Sequence, residues 1–389
     1  MPVANPVHYT FTSPSQNTGS TAKSIPHPPP ISKVEHVVSG LKTITYGLAE
    51  LPANVIDIAC LWMLHPRLQT QECMAPFAAQ FIRNWNQRQS TTSGGWDSEK
   101  GSERGRKKGL IAVSFDQRNH GTREVSAIAN EAWRSGNEKH AQDMFSCYHG
   151  TASDTSQLLD HISSYIFPEA DDHRKITENI VFGISLGGHA SWHVVMQDPR
   201  FSSAIIVIGC PDYTRLMSDR ARLSKRKSWV ESKGRDFVGS ADFPLGLVEA
   251  VRAYDPAGLL LGTLLEKSPR RRREQEHLYD DLTQEERDVL LPLMAKTLGN
   301  RRIINLSGGA DKLVPYAQGK AFLDWLKSSK APGGFFEGGN LVFEDVIVDG
   351  AGHEVPPEMV RHMEKFLFET LEDERRITVT KPARRDSRI

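Results

Sequence analysis

A serine flanked by glycines is the feature of this sequence that most clearly points to chemistry. Residues 183–188 read Gly-Ile-Ser-Leu-Gly-Gly, so Ser185 stands in the pattern Gly-x-Ser-x-Gly. A largely apolar run precedes it, and a helix-compatible run follows it. Small residues beside a serine allow a sharp strand-to-helix turn that places the hydroxyl in a cleft. The pattern therefore predicts a nucleophile. Because it fixes only three residues, it also fits a glycine-rich turn whose serine has no catalytic role.

Two later segments carry the side chains that a serine nucleophile requires. In each, an apolar strand-like run ends in a loop of small residues, and these loops contain Asp311 and His353. A serine hydroxyl becomes a good nucleophile when a neighbouring base takes its proton. We expect His353 to be that base and to return the proton to the leaving alcohol. Asp311 would hold the imidazole tautomer and stabilise the imidazolium.

The elements around these loops alternate between strands and helices. Apolar runs predict strands at residues 55–64, 110–115 and 204–208, and an apolar face at helical spacing predicts a helix over residues 74–85. Such alternation implies right-handed crossovers and a mostly parallel sheet. Ligands then bind beyond the carboxyl ends of the strands. All three candidate residues follow such ends.

The chain order Ser, Asp, His resembles that of the α/β-hydrolase superfamily. The resemblance runs from about Val34 to about Leu371 and looks closest to the esterase and prolyl-oligopeptidase-like branches. Residues 115–121, Phe-Asp-Gln-Arg-Asn-His-Gly, are similar to a loop that often follows the fourth strand of this superfamily. The resemblance implies a mostly parallel central sheet flanked by helices, with a helical cap insertion. It also implies that this Asp-x-Arg-x-x-Gly loop is mainly structural.

The resemblance leaves two alternatives for the acid of the triad. Some members place it after the strand that follows the nucleophile's helix, where this chain has Asp212. The loop Gly-Gly-Ala-Asp-Lys-Leu-Val-Pro around Asp311 is more similar to the usual acid loop. We therefore favour Asp311.

An oxyanion hole requires two backbone N–H donors. We expect one from Leu186, the residue after the nucleophile, and the other from the loop after the third strand. Many members of the superfamily have His-Gly there, whereas this chain has His65 and Pro66. Because proline has no N–H, we assign the second donor to Arg67.

The domain organisation follows from composition and position. We predict a disordered leader (residues 1–32), an α/β-hydrolase core (33–213 and 301–372), a helical cap insertion (214–300) and a basic C-terminal tail (373–389). Thr283 and Glu286 predict a capping box within the insertion. The arginine run at residues 270–273 is typical of a solvated loop, with binding of an acidic substrate or partner as the alternative.

Composition narrows the function classes. The chain has 389 residues, no formal net charge and 39% hydrophobic residues, so nucleic acid is not expected as a partner. No apolar run approaches the roughly 20 residues of a membrane span, and the start lacks the pattern of a signal peptide. We expect a cytoplasmic protein. The ending Ser387, Arg388, Ile389 leaves a peroxisomal address as the alternative.

We expect neither a cofactor nor a metal. The four cysteines lack zinc-ligand spacing and are expected as free thiols. His189 and His193 have the i, i+4 spacing of a zinc pair, but a third ligand is not evident, and packing beside the turn is the favoured interpretation.

The sequence as a whole predicts a carboxylic ester hydrolase with a Ser-His-Asp triad, acting on a small-molecule ester through an acyl-enzyme. A thioesterase or acyltransferase would use the same triad. A non-catalytic ligand-binding protein on this fold is the alternative from another class.

Overall fold

An eight-stranded mixed sheet forms the centre of the structure. This computed structural model describes residues 8–9, 11–12, 25–26, 28–92, 108–267 and 282–373. The sheet strands in these residues are Lys33–Val38 (β1), Leu41–Tyr46 (β2), Asp57–Leu64 (β3), Gly109–Phe115 (β4), Lys175–Ile184 (β5), Phe201–Val207 (β6), Arg302–Gly308 (β7) and Val342–Val348 (β8).

The α-helices of the described residues lie between and after these strands. They are Ala75–Thr92 (α1), His140–Ile166 (α2), Leu186–Gln197 (α3), Tyr213–Leu223 (α4), Lys227–Val230 (α5), Leu245–Tyr254 (α6), Pro256–Lys267 (α7), Gln284–Thr297 (α8), Tyr316–Lys330 (α9) and Pro357–Leu371 (α10).

The strands pair in the order β1-β2-β4-β3-β5-β6-β7-β8. β2 is antiparallel to both β1 and β4, and every other pairing in this sheet is parallel. The carboxyl ends of β3 to β8 therefore meet at one edge of the sheet. This arrangement confirms the predicted α/β-hydrolase fold, and β1 and β2 form an antiparallel hairpin at the sheet edge.

The central strand β3 shows why the sheet needs helices on both faces. Cys60, Trp62 and Leu64 pack into one apolar cluster, which also contains residues of α2, α3 and α9. The alternate residues Leu61 and Met63 pack into a second cluster with α1 and α10. Because successive side chains of a strand point to opposite faces, a strand covered on both sides is apolar throughout.

Helix α2 is longer than its apolar spacing indicates. The sequence marks its last turns by Leu158, Ile162 and Ile166, but the helix begins at His140. Its first half mixes buried apolar side chains with buried polar ones such as His140 and Thr151, which weakens the helical period in the sequence. The existence of this helix was predictable, whereas its start was not.

The insertion between β6 and β7 is helical in the residues described, from α4 to α8. Thr283 accepts a hydrogen bond from the Glu286 N–H, and the Glu286 carboxylate accepts one from the Thr283 N–H. This is the predicted capping box. Helices α7 and α8 pack against α3, the helix that follows Ser185. The arginine run at residues 270–273 lies outside the described residues.

Short pieces of the predicted leader pair with other strands. His8–Tyr9 is parallel to Glu354–Val355, directly after His353, and Phe11–Thr12 is parallel to Ile25–Pro26. The predictions for the rest of residues 1–27 and for the tail after residue 373, with its Ser387-Arg388-Ile389 ending, concern residues outside those described. Among the helices described, none combines the length and apolar content needed to cross a membrane.

Candidate active site

Ser185 occupies a sharp turn between β5 and α3. Its backbone has φ 55° and ψ −110°, a conformation that costs a non-glycine residue about 1–3 kcal/mol. The turn is possible because its neighbours lack a Cβ atom: one on Gly183 would collide with the Gly187 carbonyl, and one on Gly187 with the Leu64 carbonyl. The pattern Gly-x-Ser-x-Gly is therefore a steric requirement of this turn.

The structure brings Ser185, His353 and Asp311 together. Ser185 Oγ lies 2.9 Å from His353 Nε2, and His353 Nδ1 lies 2.7 Å from Asp311 Oδ2. With the proton on Nδ1, His353 donates to the carboxylate and leaves Nε2 free to accept from the serine hydroxyl. This geometry is a continuous hydrogen-bond chain in which a proton can move from the hydroxyl to the imidazole.

The loops that carry Asp311 and His353 are joined by backbone hydrogen bonds. Gly309 N–H donates to the Val348 carbonyl at 2.9 Å, and Ala310 N–H donates to the Ala351 carbonyl at 2.8 Å. Both loops follow adjacent parallel strands, β7 and β8. The distance between Asp311 and His353 is therefore set by the register of β7 and β8 as well as by the hydrogen bond between the two side chains.

Asp311 is held as a carboxylate in spite of its burial. Burial opposes ionisation, but the hydrogen bond to His353, the charge of that ring and two backbone N–H donors outweigh it, so the pKa of Asp311 lies below its ordinary value. The donors are Leu313 at 2.8 Å and Val314 at 2.9 Å, both to Oδ1. One carboxylate oxygen thus fixes the acid in its loop while the other faces the imidazole.

Asp212, the alternative acid, has a different place. Its side chain accepts a hydrogen bond from Arg215 N–H at 3.0 Å and caps the first turn of α4. It also lies 3.4 Å from the Arg215 guanidinium. The carboxylate that accepts the hydrogen bond of the His353 imidazole is Asp311, the acid favoured on sequence grounds.

The predicted oxyanion donors lie on two facing backbone segments. Leu186 is the first residue of α3, so its N–H has no acceptor within the helix, and the positive end of the helix dipole is located there. The Leu64 and His65 carbonyls occupy the side of Gly187 where a Cβ atom would lie. The loop that continues through Pro66 to Arg67 therefore starts beside the first turn of α3, where a second donor is required.

A buried histidine, His65, holds that loop in place through hydrogen bonds. The sequence alone did not indicate this role. His65 Nδ1 lies 2.8 Å from the Pro66 carbonyl, and His65 Nε2 accepts a hydrogen bond from Gln117 N–H at 2.9 Å. The Gln117 side chain also donates to the His65 carbonyl. Burial is the main reason that the pKa of His65 falls to about 4. The neutral ring thus links the loop after β3 to the loop after β4.

The loop after β4 is tied together by its acidic residue. Asp116 accepts hydrogen bonds from the backbone N–H groups of Gln71 and Thr122, and from the Thr122 hydroxyl. Arg118 forms two hydrogen bonds to Asp154 of α2. These contacts agree with the structural role that the resemblance implies for this loop.

His189 and His193 pack within the protein beside the serine turn. His189 Nδ1 lies 3.0 Å from the Cys210 carbonyl, and His193 Nδ1 lies 3.3 Å from His149 Nδ1. In the described part of the chain, no cluster of three or more His, Cys, Asp or Glu side chains is placed to hold a metal ion. None of the four cysteines forms a disulfide.

A cavity lined by cationic side chains was also missed. It lies beside the Asp311 loop and includes Arg220 of α4. The sequence of α4 contains three arginines and looks like a solvated surface. The signal that could have identified Arg220 is its spacing, because it shares a helix face with Leu216, Met217 and Ala221, all of which are buried.

Comparison with known proteins gives distant structural similarity only. No protein-family model and no curated protein matches the sequence. Among solved structures, the chain is similar to TT1662 from Thermus thermophilus, with 16% identity, a TM-score of 0.46, and coverage of 88% of this chain and 98% of that chain.

Two other similar structures have functions in their names. An acylaminoacyl peptidase from Pyrococcus horikoshii has 12% identity and a TM-score of 0.44, over 88% of this chain and 42% of that one. A cold-adapted esterase from an Arctic intertidal metagenomic library has 13% identity and a TM-score of 0.41, over 87% and 92%. TM-scores this low do not by themselves establish a shared fold. The order and direction of the strands define the fold of this chain.

Proposed function

We propose that this chain, which has the α/β-hydrolase fold, is a serine hydrolase that cleaves a carboxylic ester of a small molecule through an acyl-enzyme intermediate. The observation that supports this most strongly is the hydrogen-bond chain from Ser185 through His353 to Asp311. It joins a nucleophile, a base and an orienting acid at the carboxyl edge of the sheet.

Acylation begins at the serine. Ser185 Oγ attacks the ester carbonyl carbon while His353 Nε2 takes its proton, and the negative charge of Asp311 stabilises the imidazolium that forms. The carbonyl oxygen becomes an oxyanion that receives hydrogen bonds from the N–H groups of Leu186 and Arg67. Collapse of this intermediate breaks the ester C–O bond, and His353 gives its proton to the leaving alcohol.

Deacylation repeats the sequence with water. His353 removes a proton from a water molecule, the resulting hydroxide adds to the acyl carbon, and the Ser185 oxygen leaves with the proton that His353 returns. Ser185 is only 7% exposed, so the reacting groups are sheltered from bulk water. In such a site, fixed N–H dipoles stabilise the oxyanion more strongly than they would in water.

The proposal is tested by turnover of p-nitrophenyl esters of increasing acyl length, with wild type beside Ser185→Ala. We expect nitrophenol release by wild type, a maximum at one chain length, and no release above background by the variant. Mass spectrometry of a rapidly quenched reaction should find one acyl group on the peptide that contains Ser185. A folded wild type without turnover at any length would contradict an esterase.

Product analysis separates an ester hydrolase from an acyltransferase. In water alone, a hydrolase releases free acid, and an added alcohol should divert only a minor part of the acyl group. Predominant transfer to the alcohol at low concentration would favour acyltransferase chemistry on the same triad. Thioester analogues in the same assay compare the two leaving groups directly.

A further inference from the structure

A cationic cavity adjoins the loop of the catalytic acid. It has a volume of about 110 Å³, several times the roughly 10–15 Å³ that one water molecule requires. Its lining includes Arg67, Arg134, His140, Arg220 and Lys312. The cavity is therefore large enough for a ligand group of several atoms, and most of its polar lining is basic.

Arg220 enters this cavity without a carboxylate partner. Its guanidinium donates to His140 Nε2 at 3.2 Å and to the Leu313 carbonyl at 3.1 Å, both neutral acceptors. Its buried Nε has no hydrogen-bond partner among the described residues. Burial, followed by the charge of Arg67, lowers the pKa of Arg220 to about 10. The Arg220 side chain is partly exposed, but its Nε is buried, so the guanidinium gains from any anion that reaches it.

Arg67 is the second such side chain. Its guanidinium donates to the Asn130 carbonyl at 2.8 Å, a neutral acceptor. Burial also lowers its pKa. Arg67 and Arg220 repel each other, so their proximity is unfavourable unless an anion lies between them.

The other ionisable groups that line the cavity form no ion pair with these two arginines, although Asp311 attracts Arg220 and Glu131 attracts Arg67 from outside the lining. His140 is neutral, since burial and both arginines hold its pKa well below the ordinary value. The acidic residue of the lining, Asp219, pairs with Arg222 at 2.6 Å on its own helix. Arg134 and Lys312 are exposed and add further positive charge at the opening.

One residue, Leu313, forms hydrogen bonds both to a side chain of the cavity and to the proposed catalytic acid. Leu313 accepts the Arg220 hydrogen bond with its carbonyl and donates its N–H to Asp311 Oδ1. Arg67 is also the residue whose backbone N–H we assign to the oxyanion hole. A ligand held in the cavity is thus next to the acid loop and the oxyanion loop.

We propose that Arg67 and Arg220 bind a carboxylate of the substrate, so that the ester cleaved at Ser185 belongs to a molecule with a free acid group. This inference rests on the proposed hydrolase function and adds a substrate class to it. A guanidinium presents paired N–H donors that match a carboxylate. Two guanidinium groups can satisfy most of the lone pairs of one carboxylate. The anion also supplies a negatively charged partner for the two partly buried arginines.

The test compares two esters that differ in charge and by one methyl group: p-nitrophenyl hydrogen glutarate and its methyl ester. We expect wild type to prefer the acid by about ten- to a hundredfold in kcat/KM, mostly through KM. Arg220→Met and Arg67→Met should each reduce this ratio at least about fivefold. Arg215→Met, on the same helix but exposed, is the matched control and should keep the ratio.

Binding of glutarate to Ser185→Ala gives a readout without turnover. We expect millimolar glutarate to raise its thermal unfolding midpoint, and Arg220→Met in that background to abolish the rise. Circular dichroism establishes that each variant is folded. If Arg220→Met does not fold, Arg220→Gln and Arg67→Met replace it.

The outcomes separate the two proposals. Equal kcat/KM for the two esters would overturn the carboxylate site and leave the hydrolase function intact. Absence of turnover for both esters and for the whole acyl series would overturn the hydrolase function. A charge preference that persists in both arginine variants would also overturn the site.

Discussion

Ser185 Oγ and His353 Nε2 lie within 2.9 Å of each other, although 168 residues separate them in the sequence. The serine stands on a strained turn after β5, and the histidine stands on a loop after β8. The proposed nucleophile and its proposed base are thus aligned before any substrate is present. A hydrogen bond already formed in the free protein implies that substrate binding does not have to assemble the triad.

Asp311→Asn should lower kcat by about three to four orders of magnitude with little change in KM. An amide cannot stabilise the imidazolium and favours the wrong ring tautomer. Asp212→Asn should leave most activity, because asparagine caps a helix about as well as aspartate does. Steady-state kinetics of both variants decides the assignment. A severe loss in Asp212→Asn with a nearly silent Asp311→Asn would reverse it.

His65→Ala should lower kcat about ten- to a hundredfold, more than it changes KM. The loop that leads to Arg67 loses the ring that ties it to Gln117, and a misplaced oxyanion donor acts on the transition state. The unpaired Gln117 N–H should also cost about 1–3 kcal/mol in the free energy of unfolding. Kinetics and urea unfolding measure these effects. His161→Ala, on the exposed end of α2, is the control, and an equal loss in both would contradict the role of His65.

Gly187→Ala should abolish activity and prevent normal folding of the serine turn. The added methyl group would collide with the Leu64 carbonyl. Backbone movement could relieve this clash only by shifting β3. Gly246→Ala is the matched control, since its Cβ meets nothing within 4 Å near the start of α6, and it should be neutral or stabilising by up to about 1 kcal/mol. Thermal unfolding and turnover compare the two. Wild-type behaviour of Gly187→Ala would contradict the geometry of the turn.

Stability should fall as the pH drops below about 6.5. Burial, with the charge of Arg220 as the next cause, lowers the pKa of His189 to about 3. Between these pH values the unfolded chain binds a proton at this histidine and the folded chain does not. Stabilisation is therefore complete above about pH 6.5 and is lost toward pH 3, by roughly 1.4 kcal/mol per pH unit for this group.

Urea unfolding at pH 7, 6 and 5 measures this dependence in wild type and in His189→Gln. The variant should show a shallower decrease in the free energy of unfolding toward acid pH, because it lacks one of the groups that take up a proton on unfolding. Parallel curves for the two proteins would show that His189 is not the titrating group.

The parts of the site that could be predicted are those that local sterics or chain order determine. The glycines around Ser185 are required by the turn, and the positions of Asp311 and His353 follow from the ends of parallel strands. Helix α10 was predictable because its apolar residues keep one period and pack onto the sheet.

The parts that could not be predicted depend on contacts between distant segments. The link from His65 to Gln117 joins two loops whose separation is set only when β3 and β4 pair. Arg220 lines the cavity because α4 packs its apolar face inward and Arg220 lies on that face. Neither contact leaves a pattern within a single segment.

Labelling with a fluorophosphonate tests the central claim most directly, because the probe reacts with an activated serine whatever the natural substrate is. We predict one label per wild-type chain, located by mass spectrometry on the peptide that contains Ser185. The label should be absent from Ser185→Ala and retained in Ser164→Ala, which removes an exposed serine of α2. Equal labelling of Ser185→Ala, or no labelling of a folded wild type, would contradict the assignment of Ser185 as the nucleophile.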